Sequence, residues 1–174
     1  LVEEHTYYIE AKRLPERIFR LNLANKKLHG EIPPDISCFP NIIELYMSHN
    51  ELTGTIPKEI SKLPKLNLIT LAENQLSGSI PKELCQVTGL VSLYLNSNQF
   101  SGSIPSELSY LRKLKHLYLT DNQLTGNIPK EIFQLTNLRG LSLGNNKLNG
   151  TIPKEIGALS NLVFLNLGDN ELED

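Results

Sequence analysis

His49, Glu73 and Ser97 follow one another at intervals of 24 residues, supplying the base, the acid and the hydroxyl that nucleophilic catalysis needs. If that interval brings them side by side, Glu73 stands in the middle. A working triad places the imidazole between nucleophile and acid, so that one nitrogen takes the hydroxyl proton while the carboxylate holds the other. The order therefore argues against acyl transfer. Glu73, Asp121 and Asp169 share the same phase but fall on alternate positions, about 10 Å apart at ordinary strand spacing, too far to share one metal ion. The His and Cys residues show no zinc-ligand spacing. Glycines come singly, not in the Gly-rich run that cradles phosphate ahead of a helix. The chain reads as a non-enzyme, with no catalytic residue, metal or cofactor assigned.

The interval that aligns these residues runs through nearly the whole chain. Asn50, Asn74, Asn98, Asn122, Asn146 and Asn170 recur every 24 residues. Leu45, Ile69, Leu93, Leu117, Leu141 and Leu165 precede them by five, and Met47, Leu71, Leu95, Leu119, Leu143 and Leu167 by three. Downstream come Gly54, Gly78, Gly102, Gly126 and Gly150, each followed within two residues by Ile-Pro. The first unit keeps the frame through Leu21, Leu23, Leu28, Gly30, Ile32 and Pro33, with Lys26 in place of the Asn. A Leu-x-Leu pair alternates sides, so it predicts a short strand with both leucines in the core. An Asn just after the strand can satisfy backbone groups of its own and the next unit where the chain turns inward. Gly permits close or left-handed backbone, and Ile-Pro sets an extended return. The Pro-Lys-Glu-Ile segments predict one turn of 3₁₀ or α helix. No unit can bury its own leucines, so the units must stack. The fold expected is an α/β solenoid with a concave parallel β-sheet of about seven strands and short helical turns on the convex side.

Bulk properties agree with a globular array of 174 residues that is 40% hydrophobic and 21% charged, with a net charge of -2. That balance gives no electrostatic reason to expect nucleic acid or an anionic membrane as partner. No apolar stretch approaches the roughly 18 residues that span a bilayer. Residues 1–17 read as an N-terminal flanking or capping segment, in which Tyr7, Tyr8, Ile9 and Leu14 could cover the first unit. Residues 18–174 read as seven repeats, the last incomplete. The Leu1-Val2-Glu3-Glu4-His5 start lacks Met and an apolar leader, and the final unit stops midway, so an adjoining domain or cap is expected beyond Asp174.

The unit L-x-x-L-x-L-x-x-N-x-L-x-G-x-I-P resembles the plant-specific class of leucine-rich repeats over residues 18–172, with the Asn in six of seven units. The class occurs in receptor-like kinase ectodomains and in polygalacturonase-inhibiting proteins. The resemblance implies a right-handed coil and a recognition module that binds another protein or a peptide on its concave face. No cofactor, no nucleic acid and no direct membrane contact are expected. Secreted members usually carry cysteine-paired caps, which this sequence lacks. Cys38 and Cys85 fall two coils apart, about 10 Å by strand spacing, beyond the roughly 7 Å that a disulfide allows between Cα atoms. They are expected to be free thiols, which favours the cytosol against the extracellular address of the family. The one glycosylation sequon, at Asn149-Gly150-Thr151, leaves Asn149 as a candidate glycan site.

Function in such an array lies in the outward positions. Tyr46, Thr70, Tyr94 and Tyr118 occupy the column between the paired leucines, with Ser92, His116 and Phe164 in the column two residues earlier and Asp121 in the column before the Asn. These are the candidate partner-binding residues, because exposed Tyr brings large area, few rotamers and a polar tip. The competing explanation is a Tyr ladder that only packs across strands. Gly140, Ser142, Gly144 and Gly168 thin out the later coils, which either admits a ligand closely or is neutral variation, the second being the favoured reading. The Lys58-Glu59, Lys82-Glu83, Lys130-Glu131 and Lys154-Glu155 rows read as a solvated, charge-balanced convex face. Two other functions stay open: an inhibitor of a secreted hydrolase, of the polygalacturonase-inhibiting kind, or an ice-binding solenoid using the polar row Thr55, Ser79, Ser103, Asn127 and Thr151.

Overall fold

The computed structural model describes residues 18–173. The proposed cap at residues 1–17 and the terminal Asp174 lie outside the described residues. Two strands alternate along the chain in every coil. The first of each pair are β1 (Arg20–Asn22), β3 (Glu44–Tyr46), β5 (Leu68–Thr70), β7 (Ser92–Tyr94), β9 (His116–Tyr118), β11 (Gly140–Ser142) and β13 (Phe164–Asn166). They form one seven-stranded parallel sheet in sequence order. The second strands are β2 (His29–Glu31), β4 (Glu51–Thr53), β6 (Ser77–Gly78), β8 (Gln99–Ser103), β10 (Gln123–Asn127), β12 (Lys147–Thr151) and β14 (Glu171–Glu173). They make a five-stranded and a two-stranded parallel sheet beside the Ile-Pro segments.

Each return carries a five-residue 3₁₀ helix, as at Lys58–Lys62, after a Pro held extended (Pro57, φ −67°, ψ 139°). The helix stays 3₁₀ because its bonds span three residues: Ile60 N–H donates to Pro57 O at 3.0 Å and Leu63 N–H to Ile60 O at 3.2 Å. The strand leucines form the core. Leu45, Leu93, Leu117 and Leu141 are 0% exposed with a coil on either side, whereas Leu165 of the last described strand pair is 42% exposed. Stacking, and not any single coil, removes the core from water.

The Asn column works as a clamp with one difference from the expected pairing. Asn98 Nδ2 donates to Leu95 O (3.2 Å) and Asn96 O (3.2 Å) of its own coil and to Leu71 O (3.0 Å) of the preceding one. Its Oδ1 accepts the Leu76 N–H at 3.0 Å. The amide therefore reaches the coil before it, not the next, because the turn that carries it passes over the turn of the preceding coil. Left-handed backbone also extends beyond glycine. Gly54, Gly78, Gly102 and Gly126 have φ of +73° to +75°, but His49, Glu73, Ser97 and Asp121 have φ of +56° to +57°. Non-glycine residues adopt this region at a cost of about 1–3 kcal/mol each. Inter-coil bonds such as His49 N–H to Ala72 O (3.0 Å) and Asn50 N–H to Glu73 O (3.2 Å) hold the turn in place.

Both cysteines are free, Cys38 exposed and Cys85 buried. Burial first, then nearby Glu107, pushes the Cys85 thiol up to about 12.

Candidate functional site

Register fixes which side chains meet on the concave sheet. Parallel pairing aligns Arg20, Glu44, Leu68, Ser92, His116, Gly140 and Phe164 in one row, and Asn22, Tyr46, Thr70, Tyr94, Tyr118, Ser142 and Asn166 in another. Alternation turns these residues outward and the intervening leucines inward. The face divides into two halves with different chemistry.

In the early coils the polar groups satisfy one another. Arg20 Nε pairs with Glu44 Oε2, Tyr46 Oη donates to the same carboxylate oxygen at 3.1 Å, and the guanidinium lies 5.9 Å from the Tyr46 ring centre. The hydrogen bond from Arg20 holds the Glu44 carboxyl below the usual carboxylate range. Burial, then the Glu44 bond, pushes the Tyr46 phenol up. Thr70 shares a hydroxyl hydrogen bond with Ser48. Along the strand-exit edge His49 Nδ1 and Glu73 Oε2 are 2.7 Å apart. Ser97 Oγ turns instead to Asp121 Oδ2 at 3.5 Å, and Asn145 Nδ2 donates to Asp121 Oδ1 at 2.6 Å. His49 and Ser97 thus have different acidic partners. Among the described residues no cluster of three or more His, Cys, Asp or Glu could hold a metal ion.

In the later coils the face is aromatic. Tyr94 and Tyr118 meet edge to face with ring centres 5.1 Å apart, and Tyr94 stacks on His116 at 6.3 Å. Tyr118 touches His116 at 6.2 Å and Phe164 at 6.0 Å. Ser92 and Ser142, in the same two rows, are buried. Burial, then the charges of Arg139 and Lys115, pulls the His116 imidazole below its ordinary range. Among the described residues its Nδ1, which is buried, has no hydrogen-bond partner.

Of the residues singled out in the sequence, Tyr94, His116, Tyr118 and Phe164 come together, and Ser92 is buried beside Tyr94 on the same strand. Tyr46, Thr70 and Asp121 are each drawn into separate polar contacts. The structure also corrects one expectation. Gly140 is not neutral: a Cβ there would lie 2.8 Å from Tyr118 Cε1 and Oη and 3.3 Å from His116 Nδ1. Its bare backbone is where the Tyr118 ring rests. Gly144 likewise makes room for Asn166, whose Nδ2 would be 2.6 Å from an added Cβ. The sequence signal was available, since Gly140 stands beside His116 in the aligned row. Arg20 and Glu44 were visible in that same row but were not recognised as a pair.

A leucine rich repeat model matches residues 112–172, and a second matches residues 41–63 and 89–111. Among solved structures, the plant peptide hormone receptor RGFR1, in complex with RGF2, superposes with a TM-score of 0.86 at 38% identity, over 87% of this chain and 24% of that one. The Arabidopsis receptor kinase HAESA, in complex with the peptide hormone IDA and the co-receptor SERK1, gives 0.84 at 41% identity over 87% of this chain and 25% of that one. The ectodomain of the Arabidopsis thaliana receptor kinase SOBIR1 gives 0.69 at 37% identity, over 74% of this chain and 72% of that one. The chain thus spans only a quarter of the RGFR1 and HAESA chains. No curated protein gives a significant match.

Proposed function

The chain belongs to the plant-type leucine-rich-repeat family, and from that premise we propose that it is a non-catalytic recognition module that binds a protein or peptide partner on its concave face. The carrying observation is the Tyr94–His116–Tyr118–Phe164 cluster. These rings touch one another on the outer side of the sheet, while the polar groups of the early coils are consumed by mutual contacts. Clustered Tyr on a rigid sheet offers apolar area at low entropic cost, which is the chemistry of an interface anchor. RGFR1 and HAESA, to which the chain is similar, were solved with peptide hormones bound, which supports a peptide or co-receptor as partner here.

The same likeness supports an extracellular address. The free thiol of Cys85 does not oppose it: Cys85 is buried and its thiol is pushed up to about 12, so it forms little of the thiolate that oxidation requires. Asn149 and Thr151 are both exposed, as a glycan at the Asn149 sequon would need.

The test pans a phage-displayed random dodecapeptide library on the immobilised chain and on Tyr94→Ala/Tyr118→Ala. Peptides selected on the native protein are expected to lose at least ~2 kcal/mol of affinity for the variant, roughly thirtyfold, with the circular dichroism spectrum unchanged. Equal affinity for both proteins removes the cluster from the interface.

A further inference from the structure

We propose that the concave face takes an extended peptide segment carrying an acidic side chain, seated against Lys115 and Arg139, with the residues beside it lying on the Tyr94, Tyr118 and Phe164 rings. This rests on the concave-face reading above and adds the charge and register of the partner.

Lys115 and Arg139 each stand one residue ahead of their strand, β9 and β11, on neighbouring coils. They are joined through the backbone, Arg139 N–H donating to Lys115 O at 2.8 Å. Strand spacing sets their Cα atoms about 4.8 Å apart. Both side chains are exposed, and neither forms an ion pair among the described residues, where the ion pairs are Arg20–Glu44 and His49–Glu73. The equivalent positions in the other coils are Phe19, Ile43, Asn67, Val91 and Val163. Cationic charge at this strand-entry position is therefore confined to two coils, those of β9 and β11, which lie between Tyr94 and Phe164 in the sheet. Arg20, by contrast, is already engaged by Glu44 and Tyr46.

The two cations already act on the cluster, since their field lowers the affinity of His116 for a proton. They would oppose a cationic side chain over the rings in the same way, although Tyr faces alone attract cations. Across the sheet Asp121 holds the opposite edge with its carboxylate fixed by Asn145. The face carries positive charge where β9 and β11 begin and a single carboxylate, Asp121, past the end of β9, with the neutral Asn145 past the end of β11. A carboxylate at the positive edge satisfies two charges that form no ion pair among the described residues, and apolar or proline side chains next to it cover the rings. Charge complementarity of this kind fixes orientation and speeds encounter.

The dodecapeptide library is panned again on the native chain and on Lys115→Glu/Arg139→Glu. Native selection is expected to enrich Asp or Glu beside Pro, Leu or an aromatic residue. The best synthetic peptide should then bind at least tenfold more weakly to the charge-reversed variant, and equally so when its acid is replaced by the amide. The variant should select basic residues in that place. Absence of acidic enrichment, or equal binding to native and charge-reversed protein, overturns the inference. If binding survives charge reversal but is lost in Tyr94→Ala/Tyr118→Ala, the acidic register fails and the concave reading stands. If no peptide is enriched on the native chain, or binding survives both variants, both fail. Because Lys115 and Arg139 are solvent-exposed, the variant is expected to keep its fold, checked by its unfolding temperature. Lys115→Ala/Arg139→Ala serves where reversal perturbs it, with the same tenfold loss expected and equal binding again overturning the inference.

Discussion

Replacing Gly140 with alanine is expected to leave the fold nearly as stable as before while driving Tyr118 off the concave face. Gly140 has no left-handed φ, so alanine fits the backbone, and the loss of unfolded-state entropy should stabilise by about 0.4–1 kcal/mol. The new Cβ would stand 2.8 Å from Tyr118 Cε1 and Oη, closer than carbon atoms pack, and the ring at the far end of a flexible side chain must yield. Moving it weakens contacts to Tyr94 at 5.1 Å, His116 at 6.2 Å and Phe164 at 6.0 Å, each worth about 0.5–1.5 kcal/mol. The two effects offset, leaving a net destabilisation of about 1 kcal/mol, because a swung ring keeps part of its packing. Binding has no such compensation. A displaced anchor costs about 2 kcal/mol, or thirtyfold in affinity. Urea unfolding reads the first quantity, and titration of the selected peptides reads the second. Nuclear Overhauser contacts from the Tyr118 ring to residue 140 report where the ring lies. Destabilisation beyond ~3 kcal/mol would mean that the backbone, not the ring, fills the space. An unmoved ring with full affinity would refute the reasoning outright.

Asn98→Ala strips the carbonyls of Leu71, Leu95 and Asn96 and the N–H of Leu76 of a partner, and should lower stability by about 3 kcal/mol, seen as a fall in the urea midpoint. A change under ~1 kcal/mol would show that water replaces the amide. His116 titrates below its ordinary value of 6.5 because burial and the charges of Arg139 and Lys115 disfavour the imidazolium. The unfolded chain then binds the proton more readily, so stability is full above pH 6.5 and falls as pH drops through the window below it. Lys115→Gln/Arg139→Gln should bring the His116 titration back toward 6.5, followed by its ring resonances, and a native midpoint at or above 6.5 contradicts the assignment.

The architecture was legible because it is written in residues that repeat. Leu45 through Leu165 mark the inward face, the Asn column marks the turn, and Ile-Pro marks the return. A 24-residue period leaves one way to superimpose them. Register followed at once, since equal spacing makes parallel neighbours of residues 24 apart, as in the pairing of Tyr94 with Tyr118. What the period does not carry is direction and contact. It did not tell whether Asn98 reaches the coil before or after, which depends on how the turn overlies its neighbour. It did not show that His49, Glu73, Ser97 and Asp121 adopt left-handed backbone, because inter-coil hydrogen bonds impose that geometry against their propensity. Gly140 was misread for the same reason: its value lies in the ring of another coil, which a column read alone does not contain.

The two halves of the concave face differ in how far their side chains are satisfied from within. Each outward residue has neighbours in the coils before and after it, so a column is a series of pairwise choices about whether a group is satisfied from within. Arg20, Glu44 and Tyr46 close on themselves, and a partner binding there would have to break an ion pair and restore its hydrogen bonds to gain anything. At the later coils the choices run the other way. Lys115 is followed by Arg139, like charge beside like charge, and Tyr118 leans on a glycine that gives it room and no polar contact. His116 keeps an unpaired Nδ1. A face that is left electrostatically incomplete in two adjoining coils has free energy to gain from an outside group. The proposed interface is therefore drawn to the later coils by their variable residues and not by the repeat consensus, which every coil shares and which cannot distinguish one part of the sheet from another.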